Sequence, residues 1–344
     1  MKIAVVGAGI SAHYFLYHLS KSDLKCEVHW IYDSNIFPAN DNKITPIISL
    51  NGITKGNSPL GDLLFESYHQ TVRDLISNFP DSFDKVPQHF LMSNEEKFVR
   101  RHGEYGEIDT PFGTFCGYDS DCYTVCPQTL KNEILSQIDK NKIRLNIQDG
   151  LVVSNSVAGN KRLLILNNGK KIITDHCFFF DGFMGKFNAY CFEESCKIER
   201  NQNNVGVVAK FEKDLGKESF VLTEEQSNIV YDAGRKTVQV SAYFGNNNKG
   251  PYLNTCLVEL SEESPVFIKG FRDKGKKRMP HLYFDNQNGS MAGRVSGLYK
   301  NGYTIGYKMV GELLEKFFGG LRQSRTADLK VMNLPLSPTE LPSH

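Results

Sequence analysis

Three small residues near the amino terminus have a spacing that can bind a dinucleotide. Gly7, Gly9 and Ala12 fit the pattern G-x-G-x-x-A. The first glycine permits a tight turn, the second lets the backbone approach a pyrophosphate, and the alanine lets a helix pack closely on a strand. Ile10 and Ser11 lie at the start of that helix, which faces the phosphates. These five residues are predicted to bind the dinucleotide.

An acidic residue follows at the end of a second predicted strand. The segment CEVHWIYD ends at Asp33, whose carboxylate can accept hydrogen bonds from both hydroxyls of an adenosine ribose. The carboxylate disfavours a 2′-phosphate and therefore NADP. Ser34 comes next and is assigned to the same site. With the apolar run KIAVV before Gly7, the order strand, turn, helix, strand predicts a dinucleotide-binding unit. These residues alone leave FAD and NAD both open.

The elements that must position this unit follow along the chain. Apolar spacing predicts helices at 60–79 and 128–139. Predicted strands lie at 143–147, 162–168, 176–182, 205–212, 237–245 and 254–260. The strand HCFFFDG closes on Gly182 and is predicted to be central, with its end at the nucleotide. A glycine turn from Gly297 to Gly302 leads into a predicted helix at 304–318, whose start can stabilise an anion.

Composition and charge exclude several classes of function. The 40 basic and 39 acidic residues give a formal net charge of +1, so no overall field attracts a nucleic acid or an anionic membrane. No apolar run approaches the ~18 residues needed to span a bilayer. The eight cysteines form no CxxC pair, which argues against a metal site and favours a reduced, cytoplasmic protein. We expect no metal, no nucleic-acid partner and no membrane association.

The amino-terminal motif, the strand-rich middle and the final glycine turn together resemble the D-amino-acid oxidase and glycine oxidase superfamily of FAD-dependent oxidoreductases. The resemblance implies an α/β fold in which a Rossmann-like FAD-binding domain is interleaved with a mixed or antiparallel-sheet substrate domain. The implied FAD-binding domain comprises 1–60, 140–190 and 286–320, and the implied substrate domain comprises 61–139 and 191–285. Residues 321–344 are polar, contain prolines and lack an apolar period, so they are predicted to form a disordered tail.

The resemblance also assigns further cofactor contacts. Val152 would contact the adenine, and Gly182 would lie at the end of the central strand. The turn before the last helix would point at the flavin ring through Gly297, Tyr299, Asn301, Gly302 and Tyr303.

Three side chains are implied as substrate contacts. Arg272 lies in a Gly-x-Arg segment ahead of Pro280, and its guanidinium can grip an α-carboxylate with two parallel hydrogen bonds. Lys300 stands where related proteins often carry an arginine. Tyr231, with Tyr243 as the reserve candidate, would assist carboxylate binding.

The reaction that the resemblance implies is hydride transfer from the α-carbon of an amine or amino acid to flavin N5. No side-chain acid or base is assigned, because the flavin carries the chemistry. The chain departs from the family pattern in ANDNKITPII, in FFFDGF and in the absence of a Gly-Gln element from CKIERNQNN. A flavin monooxygenase or halogenase, a non-catalytic nucleotide-binding protein and an NAD dehydrogenase stay open as alternatives.

Overall fold

A computed structural model describes most of the chain. The described residues are 1–33, 45–50, 53, 55–56, 58–102, 104–182, 202–225, 227–242, 256, 259–260, 264–274, 278–298 and 301–332. The strands, numbered in chain order, are β1 (Lys2–Val6), β2 (Cys26–Tyr32), β3 (Ile47–Ile48), β4 (Phe83–Leu91), β5 (Gly106–Thr110), β6 (Gly113–Val125), β7 (Ile143–Asp149), β8 (Val152–Ala158), β9 (Lys161–Leu166), β10 (Lys171–Thr174), β11 (His176–Phe179), β12 (Gln202–Glu212), β13 (Phe220–Glu224), β14 (Ser227–Asp232), β15 (Thr237–Ala242), β16 (Val266–Lys274), β17 (His281–Gln287) and β18 (Ser290–Ser296).

The longer helices lie between these strands and at the end of the described chain. They are α1 (Ile10–Ser20), α2 (Pro59–Gln70), α3 (Glu95–His102), α4 (Pro127–Ser136) and α5 (Ile305–Met332). The start of α2 is fixed by Ser58, whose hydroxyl accepts a hydrogen bond from the amide of Gly61, and by Pro59 in the first turn. A π-helical stretch, Thr71–Ile76, follows α2 directly.

The amino-terminal strand is central in a six-stranded sheet. The strand order is β17-β18-β11-β1-β2-β7. The five strands from β18 to β7 run parallel, and β17 pairs with β18 in the antiparallel direction. Because their carboxyl ends point the same way, the turns after β1, β2, β11 and β18 meet at one edge. The predicted central position of HCFFFDG is confirmed, since β11 pairs with β1.

Both faces of this sheet are covered, which explains why β1 and β11 are continuously apolar. On one face Ile3, Val5 and Phe178 pack with side chains of α1 and α5. On the other face Val6 and Phe179 pack against the three-stranded sheet β10-β9-β8. The Rossmann-like layering expected from the sequence is therefore present.

A second, larger sheet follows the order β16-β12-β15-β14-β13-β4-β6-β3, with β5 paired to β6. Most neighbouring strands are antiparallel, and β13 runs parallel to β4. Apolar side chains from β13, β14 and β15 bury one face of it. This is the mixed sheet that the sequence predicted, so the α/β fold class is confirmed. The domain boundaries stay a prediction.

Two segments differ from their predicted structure. The run 254–260 was expected to be a strand, but Cys256, Glu259 and Leu260 are helical, and its other residues lie outside the described chain. A disordered tail was expected from 321, whereas α5 continues to Met332. Apolar composition predicted the strand and lack of apolar periodicity predicted the tail, and neither signal accounts for the helical backbone. Residues 333–344 lie outside the described part.

Candidate cofactor site

The turn after β1 is built around Gly7. Its φ of +113° lies in the region that favours glycine, and an added Cβ would collide with the carbonyl oxygen of Phe180. The Gly7 amide donates to the carbonyl oxygen of Ile31 at 2.9 Å, and the Phe180 amide donates to that of Val6 at 2.7 Å. These bonds hold the turn between the ends of β2 and β11. The tight turn predicted for Gly7 is therefore observed.

The start of α1 leaves its amide groups uncapped. Gly9 is the N-cap residue, no described side chain makes a capping hydrogen bond, and the first turn carries no acidic residue. An added Cβ at Gly9 would meet no atom within 4 Å in the part of the chain that the structure describes. Ala12 is fully buried, as close packing of helix on strand requires. An anion can therefore approach the partial positive charge at this helix start without displacing a side chain.

The first turn of α1 contacts the turn that leads into α5. The Ile10 Cγ2 atom lies 3.9 Å from the Cβ position of Gly302. The Tyr14 hydroxyl donates to the carbonyl oxygen of Tyr303 at 3.2 Å. Ser11 points the same way, because its Oγ lies 3.3 Å from the Cβ position of Gly306. The two glycine turns, predicted from opposite ends of the chain, thus lie together.

Two side chains that the sequence analysis did not assign support this turn. The Trp30 indole N–H donates to the carbonyl oxygen of Gly7 at 2.7 Å. His13 donates through Nδ1 to the carbonyl oxygen of Gly9 at 3.0 Å, and its ring meets the Trp30 ring edge to face at 5.1 Å. Both glycine carbonyls are therefore held by aromatic side chains. The only sequence signal was the single tryptophan in the strand ahead of Asp33.

The residues assigned to the adenosine end lie at the ends of β2 and β8. Asp33 comes directly after β2 and is half-buried. The Gly150 amide donates to the carbonyl oxygen of Tyr32 at 3.2 Å, which brings the start of β8 beside that strand end. Val152 is buried in the same apolar cluster as Ile31. Ser34 lies outside the described residues.

The turn before α5 is fixed by backbone hydrogen bonds. Gly297 has a φ of +74°, and the amide of Asn301 donates to the carbonyl oxygen of Leu298 at 2.9 Å. The carbonyl oxygen of Asn301 accepts from Thr304 at 3.1 Å and from Ile305 at 2.7 Å, so it begins the helix. Tyr303 is buried. Tyr299 and Lys300 lie outside the described residues.

An ion pair that the sequence did not predict lies where β11 ends. Arg294 of β18 reaches Asp181 with an Nη2–Oδ1 distance of 3.2 Å, and both side chains are at most 4% exposed. Gly182 follows with a φ of +52°, and an added Cβ there would meet no atom of the described residues within 4 Å. The buried charge pair thus lies directly before Gly182.

Comparisons with known proteins support the same fold. Neither the family models nor the curated proteins include a match to this chain. Among solved structures, glycine oxidase from Bacillus cereus ATCC 14579 is 14% identical over 92% of this chain and 97% of its own, with a TM-score of 0.67. L-proline dehydrogenase from P. horikoshii is 12% identical over 92% and 93%, also at 0.67. The chain has the glycine oxidase fold.

A third structure with the glycine oxidase fold was solved with FAD bound. It is the dithionite-reduced L-α-glycerophosphate oxidase from Mycoplasma pneumoniae, 10% identical over 91% of this chain and 93% of its own, with a TM-score of 0.70. The resemblance inferred from the glycine turns is therefore confirmed for the fold.

Two of the predicted substrate contacts, Arg272 and Tyr231, lie on the large sheet. Arg272 belongs to β16, where its backbone is in register with Asn204 of β12, and its side chain is not described. Tyr231 is fully buried, and its hydroxyl donates to the carbonyl oxygen of Gly216 at 2.8 Å and accepts from the Leu215 amide at 3.1 Å. Both of these hydrogen bonds are to the loop before β13, so the Tyr231 hydroxyl holds that loop in place. Tyr243 lies outside the described residues.

Among the helices of the described residues, none is both long and apolar enough to cross a membrane. Within the same residues, no three His, Cys, Asp or Glu side chains cluster as metal ligands would.

Proposed function

We propose that this chain is an FAD-dependent oxidoreductase that oxidises the C–N bond of a small amine or amino acid. The observation that carries the proposal is the junction of the two glycine turns, where Ile10 meets Gly302 and Tyr14 bonds to Tyr303. At this junction the starts of α1 and α5 face the same site. An extended cofactor with a diphosphate and a second, electron-accepting end fits such a site better than a mononucleotide does.

The residues present fit FAD. The uncapped start of α1 and the open space at Gly9 leave room for the diphosphate. Asp33 would hold the ribose hydroxyls, and Val152 would border the adenine. The turn from Gly297 to Gly302, to which the sequence also assigns Tyr299 and Lys300, would border the flavin ring. The structures of this fold include glycine oxidase and the FAD-bound L-α-glycerophosphate oxidase, which supports FAD over NAD.

When bound, FAD would accept a hydride, that is two electrons and one proton, from the substrate α-carbon and pass the two electrons on to an acceptor. The protein's own part is to bind, orient and exclude water. The start of α5 brings partial positive charge to the turn at Gly302, where it can stabilise negative charge that develops at that end of the site. Arg272 would grip a substrate carboxylate, with Lys300 as a second cation. A cytoplasmic location stays a prediction from the cysteine pattern.

Absorbance of the purified protein tests the cofactor. We expect bands near ~375 and ~450 nm that Gly9→Asp removes, because its carboxylate would stand where the diphosphate approaches. Gly106→Asp is the matched control, since an added Cβ at Gly106 also meets no atom within 4 Å but Gly106 belongs to β5. A wild-type protein that takes up no FAD, even when titrated with it, would overturn the proposal.

Substrate class is tested on the flavin-loaded protein with a panel of amines and amino acids. We expect anaerobic bleaching of the ~450 nm band by members that carry an α-carboxylate. Arg272→Ala should raise KM for these members far more than for amines without a carboxylate, and Arg272→Lys should restore only part of the loss, because lysine lacks the planar fork. Equal effects on both groups of substrates would remove Arg272 from the site.

A further inference from the structure

A buried arginine interrupts an apolar row of the six-stranded sheet. Ile31, Val6, Phe179 and Arg294 stand side by side in register on β2, β1, β11 and β18. The first three belong to the apolar cluster beneath the three-stranded sheet, and Arg294 is only 3% exposed. A guanidinium in such a row requires partners for its N–H groups, because a buried donor that lacks a hydrogen bond is strongly unfavourable.

Among the described residues, only part of the Arg294 guanidinium has a polar partner. Asp181 lies 3.2 Å from Nη2. Buried Nε and Nη1 of Arg294 have no hydrogen-bond acceptor among the described side chains and backbone. An arginine carries five N–H donors in a fixed plane, so the ion pair with Asp181 leaves donors directed elsewhere. These donors require an oxygen acceptor that the described chain does not supply.

The position of the pair indicates where that acceptor belongs. The amide nitrogen of Asp181 lies 3.2 Å from the Cβ position of Gly7, so the pair adjoins the turn after β1. In the strand order, β18 lies two strands from β1 on the side away from β2 and Asp33. At a spacing of about 4.8 Å per strand, Arg294 is thus about 10 Å from β1, toward the turn at Gly297.

We infer that Nε and Nη1 of Arg294 donate to an acceptor oxygen in the flavin half of bound FAD, a ring carbonyl or a ribityl hydroxyl. This inference rests on the proposed FAD binding. The ADP half would lie over β1 and β2, near Gly9 and Asp33. It would therefore lie on the β1 side of the Arg294–Asp181 pair, and the flavin half on the β18 side. Asp181 is then a positioning residue, which balances the charge of the guanidinium and fixes its plane.

Binding of FAD and of ADP to the cofactor-free protein tests the inference. Arg294→Met removes the donors and nearly keeps the side-chain length, and we expect it to weaken FAD binding about 10-fold or more while ADP binding changes by less than about 2-fold. Arg294→Lys keeps a charge opposite Asp181 and lacks the planar donors. It should fold if Arg294→Met does not, and it should show the same selective loss of FAD affinity.

Arg162→Met is the matched control. Arg162 is also a buried arginine whose Nε has no acceptor among the described residues, but its Nη2 donates to Asp285 and to the carbonyl oxygen of Ser290, both at 3.3 Å, at the far end of β18. We expect it to lower the unfolding midpoint of the cofactor-free protein without changing the FAD-to-ADP affinity ratio.

Two outcomes would overturn the inference alone: FAD and ADP affinities that fall equally in the Arg294 variants, or FAD affinity that does not fall. A wild-type protein that binds no FAD would overturn the proposed function as well.

Discussion

Gly7 and Gly9 belong to the same turn, yet their surroundings make opposite demands on a side chain. At Gly7 the positive φ and the Phe180 carbonyl oxygen both exclude a Cβ. At Gly9 the backbone is extended, with φ −72° and ψ 174°, and the space is open. Gly7 is therefore required by the fold, whereas Gly9 is free to serve a ligand. The spacing motif alone does not separate these two roles.

Alanine at each glycine separates them by experiment. Gly7→Ala should lower the free energy of unfolding of the cofactor-free protein by about 2 kcal/mol or more, because the backbone must shift. Gly9→Ala should change it by less than about 1 kcal/mol. Urea unfolding of the cofactor-free variants measures both. Similar losses in the two variants would contradict the structural assignment of Gly7.

At the scale of elements, α1 makes a buried hydrogen bond to the turn before α5 as well as apolar contacts with α5 itself. The Tyr14 hydroxyl bonds to the carbonyl oxygen of Tyr303, and the ring of Tyr14 meets that of Tyr307 edge to face at 5.3 Å. The hydroxyl of Ser20 on the same helix instead bonds within α1, to the carbonyl oxygen of Tyr17 at 2.7 Å. These two buried hydroxyls therefore form a matched pair, one that bonds from α1 to the turn before α5 and one that bonds within α1.

Removing each hydroxyl tests whether the hydrogen bond from α1 to the turn before α5 supports FAD binding. Tyr14→Phe should destabilise the protein by about 1–2 kcal/mol, since it removes a buried hydrogen bond. It should also weaken FAD binding, because it loosens the turn before α5. Ser20→Ala should cost less and leave FAD binding unchanged. Calorimetric unfolding and FAD titration give the two quantities, and an unchanged FAD affinity in Tyr14→Phe would separate the helix contact from the site.

The sequence pattern predicted those strands that are buried equally on both faces. β1 and β11 are buried on both faces and read as apolar runs, so their place in the sheet could be inferred. β4 and β6 were missed, because FDKVPQHFL and GTFCGYDSDCYTV carry charged and polar residues on their exposed faces and interrupt the alternation. The ion pair of Asp181 and Arg294 was not predicted. The two residues are distant in sequence and come together only because β11 and β18 are neighbouring strands.

At the scale of the whole molecule, buried histidines couple stability to pH. Burial lowers the pKa of His176 from 6.5 to about 4, and burial also lowers the pKa of His18. His176 stays neutral in the fold, where its Nδ1 accepts a hydrogen bond from the Met291 amide at 3.1 Å. Below about pH 6.5 the unfolded chain binds protons that the folded chain does not, so stability falls with falling pH toward about 4.

His176→Gln should flatten this dependence. At about 1.4 kcal/mol per pKa unit, the contribution of His176 between pH 6.5 and 4 is on the order of 3 kcal/mol. Glutamine retains an acceptor for the Met291 amide and does not titrate in this range. Urea midpoints from pH 4 to pH 7 measure the slope for wild type and variant. Parallel slopes would show that His176 does not carry the effect.

The contact between the two glycine turns also has a consequence for biosynthesis. Tyr14 and Tyr303 are separated by 289 positions in the chain, and every strand of the large sheet is encoded between them. A ribosome therefore releases the turn proposed to bind the diphosphate long before it completes the turn that faces it. During translation the first turn would at most hold an adenine nucleotide weakly. Complete cofactor loading, and with it any ligand-dependent gain in stability, must wait until α5 has emerged and docked.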